Sequence, residues 1–393
     1  MKIIYTGGFR FNDNEAAEGR VLNNAKLLRD LGHEVIFVCW GGRYLENEKK
    51  SEDFYKEGFK YYISNDFTDG ADIGFVQRLI NFALYGRKTF KFIKTFQPDI
   101  VIGYNPTAYF TSRMLSIEKE GKIRFISDIT EWFDANEFPG GKMLPFSWIN
   151  NFNMTFLQKK VKSKIVISEY LDRYYNESNN LLLPPLIDVN DNKWKNRENN
   201  TINKIKNSKL IFIFAGYHGI KDLLYNILIA VIKAYDDGVD LKIKILGAKN
   251  SEIENLIGKN NLDKYQSIIL TLGKVKNVEI PLHYINSDFT FIIRKPIRKN
   301  MAGFPTKFAE AMISGCPVIA NDTSDLRKFL KDSENGCFVD DFTIESITKT
   351  IKKIESFSEN QMRLMKMNAR KTGLDYFHYE NYLKITDNFL HKV

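Results

Sequence analysis

The densest group of side chains that could bind an anion lies between residues 293 and 319. A strand-like run ends in a basic loop at Arg294, and Pro305 then stands where a helix is predicted to begin. Proline suits a first helical turn, because it lacks an N–H group that would have no partner there. The free N–H groups of this helix end, together with the charges of Arg294 and Lys307, would attract an anion. A surface helix with ordinary basic residues is the alternative interpretation.

Two carboxylates in the first half of the chain form a second candidate group. Asp128 and Glu131 follow a strand-like segment directly and are three residues apart. If a helical turn begins there, both side chains share one face and could orient or deprotonate a hydroxyl group of a substrate. The same spacing also fits a capping box, in which Asp128 caps a helix and Glu131 is its third residue.

Strand-like and helix-like segments alternate along the chain in two series, and they must position these side chains. The first series has a helix over 18–31, which Gly32 ends, and strands over 2–5, 34–39, 100–103, 124–127 and 165–167. The second has helices over 221–236 and 306–314, and strands over 210–214, 242–246, 268–270, 289–293 and 317–320. The alternation predicts an α/β protein with doubly wound parallel sheets, whose ligands bind beyond the carboxyl ends of the strands.

A linker separates the two series. The pair Pro184-Pro185 and the polar stretch up to Lys209 are typical of a connection between domains. We expect a first domain over residues 1–186, a linker over 187–208, a second domain over 209–375 and an amphipathic C-terminal helix over 376–393. Two such domains would face each other across a cleft.

The composition is that of an ordinary globular protein of 393 residues, 44% hydrophobic and 27% charged. It excludes a disordered, collagenous or disulfide-scaffold protein. The three cysteines lack the spacing of zinc ligands, and their number fits a reducing cytosol. No run approaches the roughly 20 apolar residues of a membrane-spanning helix, and the first residues do not resemble a signal peptide. We therefore expect a cytoplasmic location.

The net charge of +9 is compatible with nucleic acid, anionic lipid or phosphate-bearing ligands. A helix predicted over residues 75–96 carries five basic residues and no acidic one. It could lie on anionic lipid at the inner face of the plasma membrane. Alternatively, it packs on the sheet with its basic face in water.

Several of these segments resemble the GT-B glycosyltransferases of family 4. The most specific resemblance is Pro-Thr-Lys-x-x-Glu-Ala at residues 305–311, followed by Ser-Gly-Cys-Pro-Val-Ile at 314–319. A weaker resemblance is the strand and glycine at 214–216, followed by the predicted turn at 217–222. The Gly7-Gly8 loop is another weaker resemblance. The segments cover nearly the whole chain in the order of the family.

The resemblance implies two Rossmann-like domains that face a cleft, and a retaining sugar transfer that needs no metal or other cofactor. The donor would be a nucleotide-sugar, such as a UDP- or GDP-sugar, bound by the second domain. The acceptor would be a saccharide or lipid-linked saccharide bound by the first domain, in surface polysaccharide or glycolipid biosynthesis. No nucleic-acid partner is expected, because no RRM, KH or helix-turn-helix signature is present.

Single residues carry the resemblance further. Glu310 matches the second glutamate of the family's Glu-x7-Glu motif, which binds the ribose hydroxyls of the donor, but Ala302 stands at the first. Lys221 matches a lysine of the family, whereas Tyr217 stands where an arginine is usual. Arg294 could replace that arginine from a neighbouring strand end. Two cations on the leaving diphosphate would stabilise its developing charge without a metal.

These considerations give three sets of candidate residues. The candidate catalytic residues are Asp128, Glu131, Lys221 and Arg294. The candidate donor-binding residues are Gly216, His218, Gly303, Phe304, Pro305, Thr306, Lys307 and Glu310. The candidate residues of an acceptor-side loop are Gly7, Gly8 and Asn105. Two alternatives stay open: a UDP-sugar 2-epimerase of the same fold, and a basic binding protein without catalytic activity.

Overall fold

The computed structural model of the chain describes residues 1–11, 16–41, 54–66, 74–195, 210–216 and 221–393. The chain forms two compact units. The first comprises residues 1–186, 302–304 and 379–393, and the second comprises residues 187–301 and 305–378. Each unit contains a parallel sheet with helices, so the predicted α/β fold class is confirmed.

The first unit is built on an eight-stranded sheet. Its strands are β1 (Lys2–Gly7), β2 (Glu34–Cys39), β3 (Phe54–Lys56), β4 (Phe59–Ile63), β5 (Ile100–Tyr104), β6 (Arg124–Ile129), β7 (Ser163–Val166) and β8 (Asn179–Leu182). Their order is β3-β4-β2-β1-β5-β6-β7-β8, and all pairs are parallel except β3 with β4. Its helices are α1 (Ala16–Asp30), α2 (Phe75–Ala83), α3 (Arg87–Phe96), α4 (Ala108–Lys119), α5 (Pro145–Phe152) and α6 (Glu169–Tyr174).

Both faces of this sheet are buried. Ile3 and Tyr5 of β1 lie in one hydrophobic cluster and Ile4 lies in the other, as the alternation of side chains along a strand requires. A parallel sheet covered on both faces needs strands that are apolar at successive positions. This requirement explains why the sequence of β1 could be recognised as a strand.

The basic segment predicted as one helix over residues 75–96 forms two helices instead. The chain turns at Gly86, whose φ of +92° is a left-handed conformation that favours glycine. A Cβ atom at this position would also lie 2.8 Å from the Cβ atom of Phe110. The prediction of a continuous helix is therefore wrong, because this turn ends α2 and begins α3.

The second unit is built on a six-stranded sheet. Its strands are β9 (Leu210–Ala215), β10 (Leu241–Leu246), β11 (Ile269–Gly273), β12 (Phe289–Ile292), β13 (Val318–Ala320) and β14 (Gly336–Phe338). All are parallel, in the order β11-β10-β9-β12-β13-β14. Its helices are α7 (Asn192–Lys195), α8 (Leu224–Asp236), α9 (Asn250–Ile257), α10 (Lys259–Tyr265), α11 (Ile280–Ile285), α12 (Arg298–Ala302), α13 (Thr306–Ile313), α14 (Leu326–Phe329), α15 (Ile344–Glu355) and α16 (Glu359–Phe377). The last residue of α12, Ala302, already belongs to the first unit.

The end of the chain differs from the prediction of a single helix over residues 376–393. Helix α16 ends at Phe377, and His378 adopts an extended conformation with φ −72° and ψ 126°. A separate helix, α17 (Leu383–Leu390), then places Phe389 and Leu390 in a core cluster of the first unit. The single-helix prediction is wrong because the extended His378 forms a bridge with Ile187 and interrupts the helix.

Lys164 in β7 is a fully buried lysine, and it gives the first testable prediction. Its Nζ donates hydrogen bonds to the carbonyl oxygen of Val161, at 2.5 Å, and to the hydroxyl of Ser178. Burial lowers the pKa of Lys164 from 10.5 to about 7. Between these two values the unfolded chain binds more protons than the folded chain, so stability must rise with pH.

We expect the free energy of unfolding to rise by about 2 kcal/mol between pH 7 and pH 9 through this group alone. Lys164→Met keeps a chain of similar length without the charge, so the variant should lack this rise. Urea denaturation of the parent and the variant at pH 7, 8 and 9 measures the difference. An identical pH dependence in both proteins would show that Lys164 keeps its ordinary pKa.

Candidate active site

The candidate anion site lies at the carboxyl ends of β9 and β12 in the second unit. Gly216 follows β9, and Arg294 follows β12 two residues after that strand ends. Asp222 forms a bridge with Arg294, and the N–H of Leu223 donates to the carbonyl oxygen of Ile293 at 3.0 Å. Asp222 and Leu223 are thereby held against the end of β12, where ligands of doubly wound sheets bind.

Asp222 holds two cations together at this strand edge. Nε of Arg294 donates to Oδ1 of Asp222 at 2.6 Å, and Nζ of Lys307 donates to Oδ2 at 2.5 Å. All three side chains are at most 12% exposed. Two positive groups and one carboxylate leave this cluster, here called the Asp222 cluster (Asp222, Arg294 and Lys307), with one net positive charge.

The surroundings fix the positions of both cations in the Asp222 cluster. The side chain of Asn321 accepts from the N–H of Arg294 at 2.8 Å and donates to its carbonyl oxygen at 2.7 Å. Nζ of Lys307 lies 4.5 Å from the ring centroid of Phe214, a cation–π contact. The two cations are therefore preorganised before any ligand binds.

Burial and charge shift the pKa values of two members of the Asp222 cluster, Asp222 and Lys307. Burial raises the pKa of Asp222, but the charges and hydrogen bonds of Lys307 and Arg294 outweigh this effect and bring it to about 2. Burial lowers the pKa of Lys307, whereas the charge of Asp222 acts in the opposite direction. A ligand that carries negative charge would compensate both cations at once.

Glu310 lies one helical turn after Lys307 on α13, so both side chains lie on the same side of the helix. Its side chain is half-buried, and among the described residues none forms a hydrogen bond with its carboxylate. Burial raises the pKa of Glu310, while the charges of Lys193 and Lys307 lower it. This carboxylate is positioned to accept hydroxyl hydrogen bonds from a ligand.

Helix α13 is held in position by α16 in the second unit. Gly373 of α16 is buried, and a Cβ atom there would lie 2.5 Å from the backbone nitrogen of Ile313. The side chain of Arg370, one turn earlier, donates to the carbonyl oxygen of Ile313. The helix that carries Lys307 and Glu310 therefore cannot shift without displacing α16.

The remaining candidate donor residues lie at the following places. Pro305 occupies the N-cap of α13 rather than its first turn, which begins at Thr306, because the Pro305 backbone is extended with ψ 107°. Gly216 has a φ of +143°, and a Cβ atom there would lie 3.5 Å from Nζ of Lys307. Gly303 and Phe304 belong to the first unit.

Two further candidates of the second unit, Lys221 and His218, are three positions apart in the chain. Lys221 is half-buried, directly before Asp222 in the chain. His218, like Tyr217, lies outside the described residues. That Lys221 and Arg294 bind one anion together stays a prediction. In the structure, Lys307 and Arg294 both donate to the carboxylate of Asp222.

Asp128 in the first unit is the centre of a buried network. It lies within β6, fully buried, and its carboxylate accepts from Nη2 of Arg20 at 2.6 Å and from the hydroxyl of Tyr5 at 2.5 Å. Asn24 donates to the same hydroxyl at 3.0 Å. The expected helical turn, and with it the capping box, is wrong, because Asp128 belongs to a strand and Glu131 to the loop after it.

The ion pair between Asp128 of β6 and Arg20 of α1 fixes this helix against the sheet. Nη1 of Arg20, which belongs to α1, also donates to the carbonyl oxygen of Leu183, at 3.1 Å. Glu131 is half-buried in the loop after β6. Burial raises the pKa of Tyr104 to about 12, and the charge of Glu131 acts in the same direction. Of the two carboxylates, only Glu131 is accessible to a ligand.

The acceptor-side loop residues lie at the carboxyl ends of β1 and β5. Gly7 approaches β5 so closely that a Cβ atom would lie 2.4 Å from the carbonyl oxygen of Tyr104. Asn105 has a φ of +42°, and its side chain donates to the Thr130 hydroxyl at 2.7 Å and accepts from the Thr130 N–H at 2.9 Å. Gly8 and Asn105 both line a cavity of about 220 Å³ in the first unit.

No group of three or more His, Cys, Asp and Glu side chains with the geometry of a metal site occurs in the described part of the chain. Among the described helices, none has the length and apolar character needed to cross a membrane.

Residues 195–372 match the family described as Glycosyl transferases group 1. No curated protein matches the chain in sequence. Sucrose-phosphate synthase from Thermosynechococcus elongatus is similar in structure, with a TM-score of 0.74 and 11% identity over 100% of this chain and 99% of that chain. HepE from Anabaena, solved with UDP and glucose, has a TM-score of 0.71 and 12% identity over 100% of both chains. The lipopolysaccharide outer core galactosyltransferase WaaB has a TM-score of 0.66 and 14% identity over 100% of this chain and 99% of that chain.

The family match and the structural likeness support different conclusions. The matched residues include Glu310 and the whole Asp222 cluster, and this match supports a glycosyltransferase as the class of enzyme. The solved structures share too few residues with this chain to show more than the fold, which is that of the GT-B glycosyltransferases. The predicted class of enzyme and the predicted fold are both confirmed.

Asp222 and Asn321 are the residues of the site that the sequence did not single out. The two carboxylate oxygens of Asp222 join cations that are separated by 13 positions in the chain, and Asn321 fixes the backbone of one of them. Asp222 could have been considered, because it directly follows the candidate Lys221 in the chain. Asn321 follows the last residue of β13 in the same way.

Proposed function

We propose that this protein transfers a sugar from a nucleotide-sugar, such as a UDP- or GDP-sugar, to a saccharide or lipid-linked saccharide acceptor. Configuration at the transferred carbon is retained, and no metal takes part. The observation that carries the proposal is the pairing of Arg294 and Lys307 on Asp222, one turn from the carboxylate of Glu310. Phosphate and ribose are the two groups of a nucleotide-sugar that such neighbours would recognise.

The Asp222 cluster would bind the diphosphate of the donor. When the bond to the sugar breaks, the leaving diphosphate gains negative charge, and cations already in place stabilise it without reorganisation. Asp222 keeps both cations in position and, with a pKa of about 2, stays ionised at every physiological pH. Asp222 is thus a positioning residue, and Arg294 and Lys307 are the groups that would contact the diphosphate.

Glu310 would accept hydrogen bonds from the ribose hydroxyls of the donor. A carboxylate can accept two hydroxyl hydrogen bonds, and bonds to a charged acceptor are stronger than neutral ones. HepE from Anabaena, whose solved complexes contain UDP and UDP-glucose, supports a uridine nucleotide as the first donor to test. A role in surface polysaccharide or glycolipid biosynthesis is supported by the name of WaaB, a galactosyltransferase of the lipopolysaccharide outer core.

The first unit would bind the acceptor, and Glu131 offers it an accessible carboxylate in the loop after β6. Peripheral contact with an anionic membrane, at the inner face of the plasma membrane, is part of the same proposal. Four basic residues of α3 are exposed: Arg87, Lys88, Lys91 and Lys94. Helix α2 has no buried residue and exposes Phe75, Val76 and Ile80. Exposed apolar residues beside basic ones are typical of an interfacial surface.

A screen of donor hydrolysis and thermal shift against UDP-, GDP-, ADP- and dTDP-sugars tests the proposal. We expect one nucleotide class to raise the melting temperature and to be hydrolysed slowly in the absence of acceptor. The parent protein should also show neither effect with RNA, which separates the enzyme from a basic binding protein. Stabilisation by RNA, with no response to any nucleotide-sugar, would contradict the proposal.

Donor turnover should survive EDTA. The reason is that Arg294 and Lys307 supply the positive charge that a divalent cation supplies in other enzymes. The measurement compares initial rates with EDTA, with EDTA followed by excess Mg²⁺, and with no addition, and we expect the three rates to agree within experimental error. A rate that vanishes with EDTA and returns with Mg²⁺ or Mn²⁺ would assign the charge stabilisation to a metal.

A further inference from the structure

The cavity of about 220 Å³ lies entirely among residues of the first unit. Its walls come from the end of α2 and the connection to α3 (Phe82, Tyr85), and from the end of β5 and the loop after it (Tyr104, Pro106). Helix α5 and the π-helical turn at Asn153–Leu157 contribute Ile149 and Met154. Aromatic and aliphatic side chains therefore make most of its wall. For comparison, an apolar cavity of about 150 Å³ in another protein holds one benzene molecule.

Most polar side chains in the cavity wall already have partners within the protein. The nitrogen and the oxygen of the Asn105 side chain both form hydrogen bonds with Thr130. Nδ2 of Asn153 donates to the carbonyl oxygen of Pro106 at 2.7 Å. The hydroxyl of Thr107 donates to the carbonyl oxygen of Tyr85 at 2.8 Å. A sugar ring needs a hydrogen-bond partner for each of its hydroxyls, so this wall suits an apolar ligand better.

Gln158 differs from Asn105, Asn153 and Thr107, because one of its buried polar atoms has no hydrogen-bond partner in the described part of the chain. It is 1% exposed and lines the cavity, its Nε2 donates to Thr111 at 3.0 Å, and its Oε1 has no hydrogen-bond partner in the described part of the chain. A buried carbonyl oxygen without a partner is costly unless a ligand supplies a donor. The ligand should therefore carry at least one hydroxyl or amide N–H beside its apolar part.

The elements that form the cavity wall also carry exposed apolar side chains. Trp148 and Phe152 of α5 are 60% and 50% exposed, and Phe156 of the π-helical turn is 47% exposed. No acidic residue occurs between Glu137 and Glu169. Exposed aromatic side chains in a segment with basic but no acidic residues fit the surface of an anionic lipid.

We propose that this cavity binds the apolar chain of a lipid-linked acceptor, with Gln158 accepting a hydrogen bond from the group next to the chain. The proposal deepens the proposed function and rests on it, because it names the class of acceptor. The sugar-accepting hydroxyl would then lie outside the cavity, and the chain inside it would anchor the acceptor to the first unit.

Calorimetric titration with hexyl, heptyl and octyl β-glucoside, each below its critical micelle concentration, tests the proposal. Glucose is the ligand without a chain. We expect no binding of glucose, and an affinity that rises roughly fourfold with each added CH₂ group, the equivalent of about 0.8 kcal/mol. Affinities that do not depend on chain length, or equal binding of glucose, would overturn the proposal in favour of a sugar site.

A pair of variants on α4 separates the cavity from the exposed apolar surface. Ala108 lines the cavity, and Ala108→Phe would fill part of it. Ser116 is exposed on the same helix outside the cavity, so Ser116→Phe is the matched control. We expect Ala108→Phe to weaken the binding of octyl glucoside at least tenfold, and Ser116→Phe to leave its affinity unchanged. Circular dichroism and melting curves would confirm that both variants fold. Equal affinities in the two variants would place the alkyl chain on the outer surface and overturn the proposal.

Binding of UDP and GDP to the parent protein, measured by the same calorimetry, keeps the two proposals apart. A nucleotide that binds while no alkyl glucoside does would leave the proposed function intact and refute the lipid cavity alone. An alkyl glucoside that binds with chain-length dependence, while no nucleotide or nucleotide-sugar binds, would refute the proposed donor site and leave the cavity as a lipid site.

Discussion

Replacing either cation of the Asp222 cluster should lower kcat for sugar transfer by roughly 10²-fold, the scale for removing a preorganised donor aimed at developing charge. Arg294→Met and Lys307→Met keep the bulk of the side chains and leave Asp222 with one cationic partner each. If both cations contact the diphosphate, they would interact more strongly with the leaving group than with the bound donor, so kcat should fall more than KM rises. Steady-state kinetics with the donor found in the screen measures both constants.

Arg327→Met is the matched control for this prediction. Arg327 also pairs with an aspartate, Asp322 at 2.8 Å, but both side chains are more than half exposed. Such surface pairs contribute little to stability, so the control should have parent kinetics. Folded Arg294→Met and Lys307→Met proteins with the kcat of the parent would show that the Asp222 cluster does not contact the diphosphate. A fall in melting temperature with unchanged kcat in the folded fraction would make its role purely structural.

Glu310→Gln should weaken donor binding tenfold or more, since a hydrogen bond to a charged group is worth roughly 1.5–3 kcal/mol. Glutamine keeps the size of the side chain and one oxygen acceptor, but it loses the charge that strengthens the bonds from ribose hydroxyls. Isothermal titration with the nucleoside diphosphate measures the change without any turnover. KM for the donor should rise by a similar factor, with a smaller effect on kcat.

Glu355→Gln provides the comparison for Glu310→Gln. Glu355 is the last residue of α15 and is exposed, so its variant should bind nucleotide like the parent. If Glu310→Gln folds and binds the nucleoside diphosphate with parent affinity, Glu310 does not contact the ribose. A deoxyribose analogue of the nucleotide would refine the result, because its affinity should be less sensitive to Glu310→Gln.

The overall fold could be predicted from the sequence because parallel strands buried on both faces are apolar at successive positions. The runs that became β1, β2, β9 and β12 stand out for this reason. The short strands β3, β8 and β14 at the sheet edges, and β4 beside β3, were missed, since three to five residues carry little pattern. The turn at Gly86 was missed because a glycine within a basic, aromatic run is compatible with a continuous helix.

The candidate site shows a different limit of sequence reasoning. Arg294 and Lys307 could be recognised from a strand end and from the first turn of a predicted helix. Glu310 could be recognised only from the resemblance of residues 305–311 to the family motif. Asp222 could not be assigned, since its role depends on two cations far away in the chain. Asp128 illustrates the converse, because a carboxylate after a predicted strand looks accessible until the hydrogen bonds of Arg20 and Tyr5 reveal a buried network.

Time-resolved proton NMR of the selected nucleotide-sugar, incubated with the protein and octyl β-glucoside as acceptor, tests the central claim most directly. The account predicts release of the nucleoside diphosphate together with a sugar product that has the donor's configuration at C1, at the same rate with EDTA. Glu310→Gln and Lys307→Met should slow the release in the same experiment. A donor that stays intact, or that is converted to its 2-epimer without glycosidic product, would contradict the account.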